Sequence, residues 1–201
     1  CLLSGQKNEF YTLMKNDLIK FDNNVFLFIE ELIDPLMYKV GQMWQLNKLS
    51  VAKEHLATSL IDEIINDFIK ENFLDDKNKP MAIISTVGEE SHNLGIKIVG
   101  KFLESNGFSV KNLSSKISKH ELINSIYALK PDLVVLSVTL SSNVATLQEI
   151  IKELKSDLNL FSGKVVIGGQ GLFSKDKTVI LEQADFCSRN LEELESFLFY
   201  I

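Results

Sequence analysis

Two short stretches of this chain, Leu133–Ser137 (L-V-V-L-S) and residues 165–168 (V-V-I-G), are apolar on both faces of an extended backbone. Side chains alternate between the faces of a strand, so a run can be apolar throughout only where both faces are covered. A parallel sheet flanked by helices meets that condition. Further strands are expected at 81–85, 109–113 and 185–187. Helical patterns separate them at 93–106, 119–129, 143–157 and 191–199, with a weaker one around 175–181. Five β-α units in alternation predict an α/β domain over 81–201: a five-stranded parallel sheet wound in the flavodoxin-like (Rossmann-type) manner. Ligands of such sheets lie beyond the carboxyl ends of the strands.

Upstream the periodicity changes. Phe10, Leu13, Met14, Leu18 and Phe21 recur at helical spacing, and a second apolar pattern runs from Val25 to Trp44. Pro35 lies inside it. Proline lacks the amide hydrogen and disfavours helix in the residue before it, so one helix is expected to end near Asp34 and the next to begin there. Ser50 suits the N-cap of a helix over 51–73. On that helix Glu54 shares a face with Ala57, Ile61, Ile65 and Phe68. It reads either as a first-turn acid facing the helix dipole or as a carboxylate that needs a partner. Trp44 by itself reads as core, and His55 as a residue of the polar side. Four helices with short connections predict an N-terminal four-helix bundle over 1–76. The polar run 75–80, ending in Pro80, reads as the linker.

Composition narrows the function classes. The formal net charge is −6 with no basic cluster, so this chain itself is not expected to contact nucleic acid. Its first residue is Cys rather than Met, which leaves a DNA-binding segment upstream as an open possibility. No apolar run approaches the ~20 residues of a membrane span. Two cysteines, Cys1 and Cys187, form no disulfide framework, and a reducing cytoplasm is the expected setting.

Three loops at the expected carboxyl ends carry unusual residues. The first holds Glu89, Glu90, His92 and Gly95; the second is S-V-T-L-S-S from Ser137; the third is G-G-Q-G from Gly168. A metal-bound imidazole normally passes its other N–H to a carboxylate, and Glu89 and Glu90 are equally placed for that. The hydroxyl run reads either as ligand lining or as a cap for the next helix. Gly168 and Gly169 read either as an ordinary turn or as a place where a ligand presses on bare backbone. Neither G-x-G-x-x-G after the first strand nor a P-loop lysine pattern is present, so a nucleotide-binding reading lacks its fingerprint.

The spacing E-x-H-x-x-G, then S-x-T, then G-G resembles the D-x-H-x-x-G, S-x-L and G-G pattern of cobalamin-binding domains. The resemblance implies that His92 ligates the cobalt from below in place of the cofactor's own base. It implies that Gly95 lets the nucleotide tail pass, that Ser137 and Thr139 line its groove, and that Gly168 and Gly169 accommodate the buried base. Glu90 stands for the usual Asp and is long enough to reach the imidazole; Thr139 stands for the usual Leu. Upstream, Trp44 followed after nine residues by Glu54-His55 is similar to the adenosylcobalamin-dependent light-sensing regulators of the CarH type. In these a four-helix cap covers the upper face, and the three side chains shape a pocket for the adenosyl group. Gln45 stands where those sensors carry a histidine.

The resemblance implies a cobalamin-binding sensor without catalytic residues. Adenosylcobalamin is the preferred form and methylcobalamin the alternative. Light would change cap packing or the state of a homo-oligomer and so regulate transcription or a partner. The alternative function is a corrinoid methyl carrier of a methyltransferase system. A third reading is a phosphate- or flavin-binding module with a helical dimerisation bundle.

Overall fold

The computed structural model describes residues 2–4, 6–69, 79–88, 90, 92–114, 117–173 and 183–200. The chain forms two compact units, Cys1–Phe73 and Leu74–Ile201.

The first unit is helical. It contains α1 (Lys7–Ile19), α2 (Val25–Phe28), α3 (Asp34–Gln45) and α4 (Val51–Phe68). The expected break at Pro35 is absent. A π-helical turn, Ile29–Ile33, joins α2 to α3, and Asp34 keeps helical dihedrals while its amide bonds back to the Ile29 carbonyl. In an α turn the proline ring meets the carbonyl four residues earlier; a wider π turn gives the ring room and the helix continues. Ser50 caps α4 as expected, its hydroxyl accepting from the Lys53 amide at 3.4 Å. The helix ends at Phe68, and the expected extension to 73 lies outside the described residues. Phe28, Ile29 and Ile33 are fully buried, and Phe28 packs its ring against Phe21 and Phe68 at 5.7 and 5.9 Å. An ion pair between Lys7 and Glu63 joins α1 to α4 at the surface.

The second unit holds β1 (Met81–Thr86), α5 (Leu94–Ser105), β2 (Ser109–Asn112), α6 (Lys119–Leu129), β3 (Leu133–Ser137), α7 (Val144–Leu154), β4 (Lys164–Gly168), β5 (Phe186–Cys187) and α8 (Leu191–Leu198). The sheet is parallel throughout, in the order β2-β1-β3-β4-β5. Ile83, Val134, Leu136, Val165 and Ile167 point to one face and share a core with Leu122, Ile123 and Ile126 of α6 and Leu147, Ile150 and Ile151 of α7. Ile84 points the other way. There Gly100 of α5 lies so close that an added Cβ would sit 2.6 Å from the Ile84 Cδ1. Both faces of β1 and β3 are therefore covered, as their unbroken apolar runs require. Residues 175–181, where a weak helix was expected, lie outside the described residues. No helix among the described residues is long and apolar enough to cross a membrane.

Candidate functional site

β1, β3 and β4 end side by side. Thr86 is in register with Ser137, and Ser137 with Gly168, so the three expected loops leave the sheet at one level. Main-chain hydrogen bonds fasten them together. The Val87 amide donates to the Ser137 carbonyl at 3.0 Å, Val138 to Gly168 at 3.0 Å, and Gly171 back to Val138 at 2.9 Å.

The glycines of the third loop serve this fastening. Gly169 has φ +98°, and a Cβ there would stand 2.4 Å from the Val138 carbonyl oxygen. At Gly171 a Cβ would meet the same oxygen at 2.9 Å, and at Gly168 one would lie 3.1 Å from the Ser188 oxygen. What presses on these bare backbones is the protein's own neighbouring loop. Gly95 differs: it is exposed in the first turn of α5 with nothing within 4 Å of an added Cβ.

Glu90 is only 3% exposed, and its carboxylate is committed to the second loop. Oε2 accepts from the Thr139 amide at 2.9 Å; Oε1 accepts from the Leu140 amide at 2.8 Å and from Asn143 Nδ2 at 2.7 Å. This corrects the expectation that Glu90 reaches the imidazole, since no bond joins it to His92. Asn143 was not among the expected site residues. Its side chain faces Glu90 and leaves the start of α7 without a side-chain cap, so the expected capping role of the loop's polar run is not taken. Only its place at a helix start was visible in the sequence; a contact across 53 positions carries no local signal. Ser137 and Thr139 are half-buried beside it. His92 is exposed, with no hydrogen bond or ion pair among the described residues.

The helical unit holds the other three residues. Trp44 is 38% exposed, which corrects the reading of it as core. It closes the last turn of α3, while the core side of that helix is taken by Val40. Glu54 lies in the first turn of α4 and accepts from the Thr58 hydroxyl at 2.8 Å, so the carboxylate has a partner one turn on. The exposed His55 ring lies 3.6 Å from it, Nε2 to Oε2. His120 is exposed on α6, its Nε2 3.0 Å from Asn124 Nδ2.

No three His, Cys, Asp or Glu side chains converge among the described residues. What the strand ends present, among the described residues, is the exposed His92 imidazole beside a helix start with open space at Gly95.

The chain belongs to the B12 binding domain family, which matches residues 80–190, and a second family of the same description matches residues 1–67. Its cofactor is accordingly cobalamin, and the phosphate or flavin alternative falls away. The chain is similar to the HTH-type transcriptional repressor CarH of Myxococcus xanthus, 25% identical over 129 residues, 64% of this chain and 42% of the repressor. The chain thus spans less than half the length of that relative. It is also similar to trimethylamine corrinoid protein 2 of Methanosarcina mazei, 23% identical over 181 residues, 81% of this chain and 83% of that one. Among solved structures, the monomethylamine corrinoid protein of Methanosarcina barkeri superposes with a TM-score of 0.78 at 17% identity, over 100% of this chain and 94% of that one. A cobalamin-binding protein from Desulfitobacterium hafniense does so with a TM-score of 0.53 at 18% identity, over 99% and 94%. At such identities the structures speak for the fold.

Proposed function

We propose that this chain is the sensory part of a cobalamin-dependent regulator that responds to light through adenosylcobalamin. When bound, that cofactor supplies a cobalt–carbon bond that visible light breaks. In this reading His92 would hold the cobalt through its imidazole. Gly95 leaves the start of α5 open for the nucleotide tail, Ser137 and Thr139 line its path, and Gly168 with Gly169 hold the third loop clear of it. Trp44, Glu54 and His55 receive the adenosyl group: an aromatic face for the purine, and a carboxylate and imidazole for the ribose hydroxyls. Loss of that group then alters helical packing or the state of a homo-oligomer. No residue of the chain is given a catalytic role.

The observation that carries the reading is Trp44. It is the only tryptophan in the sequence, it is 38% exposed, and Glu54 and His55 follow on the helix packed against its own. A methyl group would need no such aromatic surface. A second reading, a corrinoid methyl carrier, is favoured by the similarity to the trimethylamine corrinoid protein, which spans four-fifths of both chains. Gln45 also favours it, because an amide is a weak cobalt ligand once the adenosyl group has gone.

The test is to load purified protein with adenosylcobalamin in the dark, record its visible spectrum and gel-filtration volume, and repeat both after green light, with His92→Ala in parallel. The sensor reading expects uptake that depends on His92 and a change of both spectrum and volume on illumination. Uptake with no change of volume transfers the assignment to the methyl carrier. No uptake of any corrinoid overturns both.

A further inference from the structure

We infer that Glu90 is a positioning residue that latches the histidine loop to the exit of β3, and that it acts through the main chain of that exit rather than as the carboxylate partner of His92. The inference rests on the cobalamin reading only in what the latch is for.

The geometry separates the two roles. Both Glu90 oxygens are in use, held by the Thr139 and Leu140 amides at 2.9 and 2.8 Å and by the Asn143 carboxamide at 2.7 Å. Two consecutive main-chain amides and a side-chain amide converge on one buried carboxylate, which accepts from all three and has nothing to donate. Turning Glu90 toward His92 would strip those amides of their acceptor in a part-buried place, and buried amides without partners are rare in folded proteins. His92, two residues on, is exposed. The loop therefore plants Glu90 inside the protein, while His92 stands outside it.

The surrounding backbone is shaped for this contact. Gly88 has φ +79°, and a Cβ there would stand 2.8 Å from the Asn143 side chain. A side chain at 88 would crowd the Asn143 side chain where it reaches Glu90. The Val87 amide, bonded to the Ser137 carbonyl at 3.0 Å, pins the other end of the same segment. The loop is thus fixed at Val87 and at Glu90, and His92 emerges from a constrained stem. The length of Glu90 matters as well. An aspartate from the same main-chain position is one methylene shorter and falls short of the Thr139 and Leu140 amides, while a carboxylate that only had to meet His92 would tolerate the change.

The test compares the full chain with Glu90→Asp, Glu90→Gln and Asn143→Ala. Amide hydrogen exchange at Thr139 and Leu140, read by NMR without cofactor, reports the latch directly. Exchange there should quicken by about tenfold or more in both Glu90 variants and by a smaller factor in Asn143→Ala. Circular dichroism checks that each variant is folded, and Asn143→Ala keeps the test open should a Glu90 variant fail to fold. The second readout is the visible spectrum of bound hydroxocobalamin. The fraction showing an imidazole-bound cobalt should fall in Glu90→Asp and in Asn143→Ala while His92 is intact. Unchanged exchange at Thr139 and Leu140 in Glu90→Asp overturns the latch. So does a Glu90→Asp protein with a full imidazole-bound spectrum, which would make the carboxylate a partner of His92. Should the wild-type protein take up no corrinoid, the spectral arm falls with the cofactor assignment and the exchange arm still decides the latch.

Discussion

Gly95 and Gly169 both belong to the pattern by which the chain resembles cobalamin-binding domains, yet the structure gives them opposite physical duties, and replacing each with alanine separates those duties. At Gly169 the backbone has φ +98° and ψ 151°, a region essentially closed to residues with a side chain. Strain there is of order 1–3 kcal/mol. The new methyl group would also stand 2.4 Å from the Val138 carbonyl oxygen and 2.8 Å from the Val138 nitrogen and carbonyl carbon. Those are main-chain atoms, so the β3 and β4 loops must part, and overpacking of this kind costs about 1–3 kcal/mol more. Together, about 2–6 kcal/mol is lost from a domain whose total stability is about 5–15 kcal/mol. At Gly95 an added methyl meets nothing within 4 Å, and alanine favours a helix over glycine by up to about 1 kcal/mol. Urea unfolding of the apoprotein, followed by circular dichroism, should show a midpoint lowered by about 1–3 M for Gly169→Ala, given a slope of about 2 kcal/mol per molar. For Gly95→Ala the midpoint should stay or rise, while corrinoid uptake weakens because the space at the helix start is filled. Gly169→Ala within about 0.5 kcal/mol of wild type would refute the packing argument. Undiminished uptake by Gly95→Ala would refute the role given to its open space.

Three further outcomes follow. Ser50→Ala removes the cap of α4 and should cost about 0.5–1 kcal/mol in urea unfolding monitored by Trp44 fluorescence, the low side of the usual range because the Ser50–Lys53 bond is long at 3.4 Å. Asp185 pairs with Lys155 and Lys164 and accepts from the Val165 amide at 2.7 Å. Partial burial acts to raise its pKa, but the Lys155 and Val165 hydrogen bonds and the two lysine charges outweigh it and hold the group below its ordinary 3.8. A folded pKa below the unfolded one contributes stability that is full above 3.8 and is lost as pH falls through the folded value. Asp185→Asn should therefore be less stable than wild type near neutrality, by about 1 kcal/mol once solvent screening of this partly exposed pair is allowed for. The gap should close as pH is taken below 3.8 in parallel urea titrations. Trp44→Ala, at a surface position, should cost the apoprotein less than the ~3–5 kcal/mol of a core tryptophan, yet weaken adenosylcobalamin at least about fivefold more than methylcobalamin in equilibrium titrations; equal losses would count against an adenosyl role.

The sheet was legible because its constraint is local. A run such as L-V-V-L-S is apolar at successive positions, and only a doubly covered strand satisfies it, so β3 begins and ends where its sequence does. β1, β2 and β4 came within one residue at each end, and β5 shrinks to Phe186–Cys187. Pro35 misled because the rules for proline describe an α turn, and a π turn just before it changes the geometry they assume. Trp44 misled because size and hydrophobicity predict burial only on average, and the last turn of α3 leaves this side chain outside the core that Val40 enters. That His92, Ser137, Thr139 and the glycines stand at the strand ends was readable from spacing. What Glu90 does was not, because its partners lie 49 to 53 positions away and two of them are main-chain amides that any residue would present.

The strand-end loops are graded from fixed to free, and on the proposed reading the grading suits attachment of the cofactor through one histidine. From the β4 side inward, Gly171 and Gly168 are bonded to Val138, Ser137 to Val87, and Thr139 and Leu140 to Glu90. Each bond ties a neighbouring loop to the next, and the series stops at Glu90. His92 comes two residues later, exposed, and Gly95 opens the helix behind it. A ligand that brought no metal coordination of its own would find few donors here, since the amides at this edge are already paired. One that carries its equatorial ligands needs a single lone pair from a stem held in place, together with a free path past the helix start. The paired amides limit where Glu90 can be, and on the proposed reading that limit would let a single coordinate bond from His92 position a ligand far larger than itself.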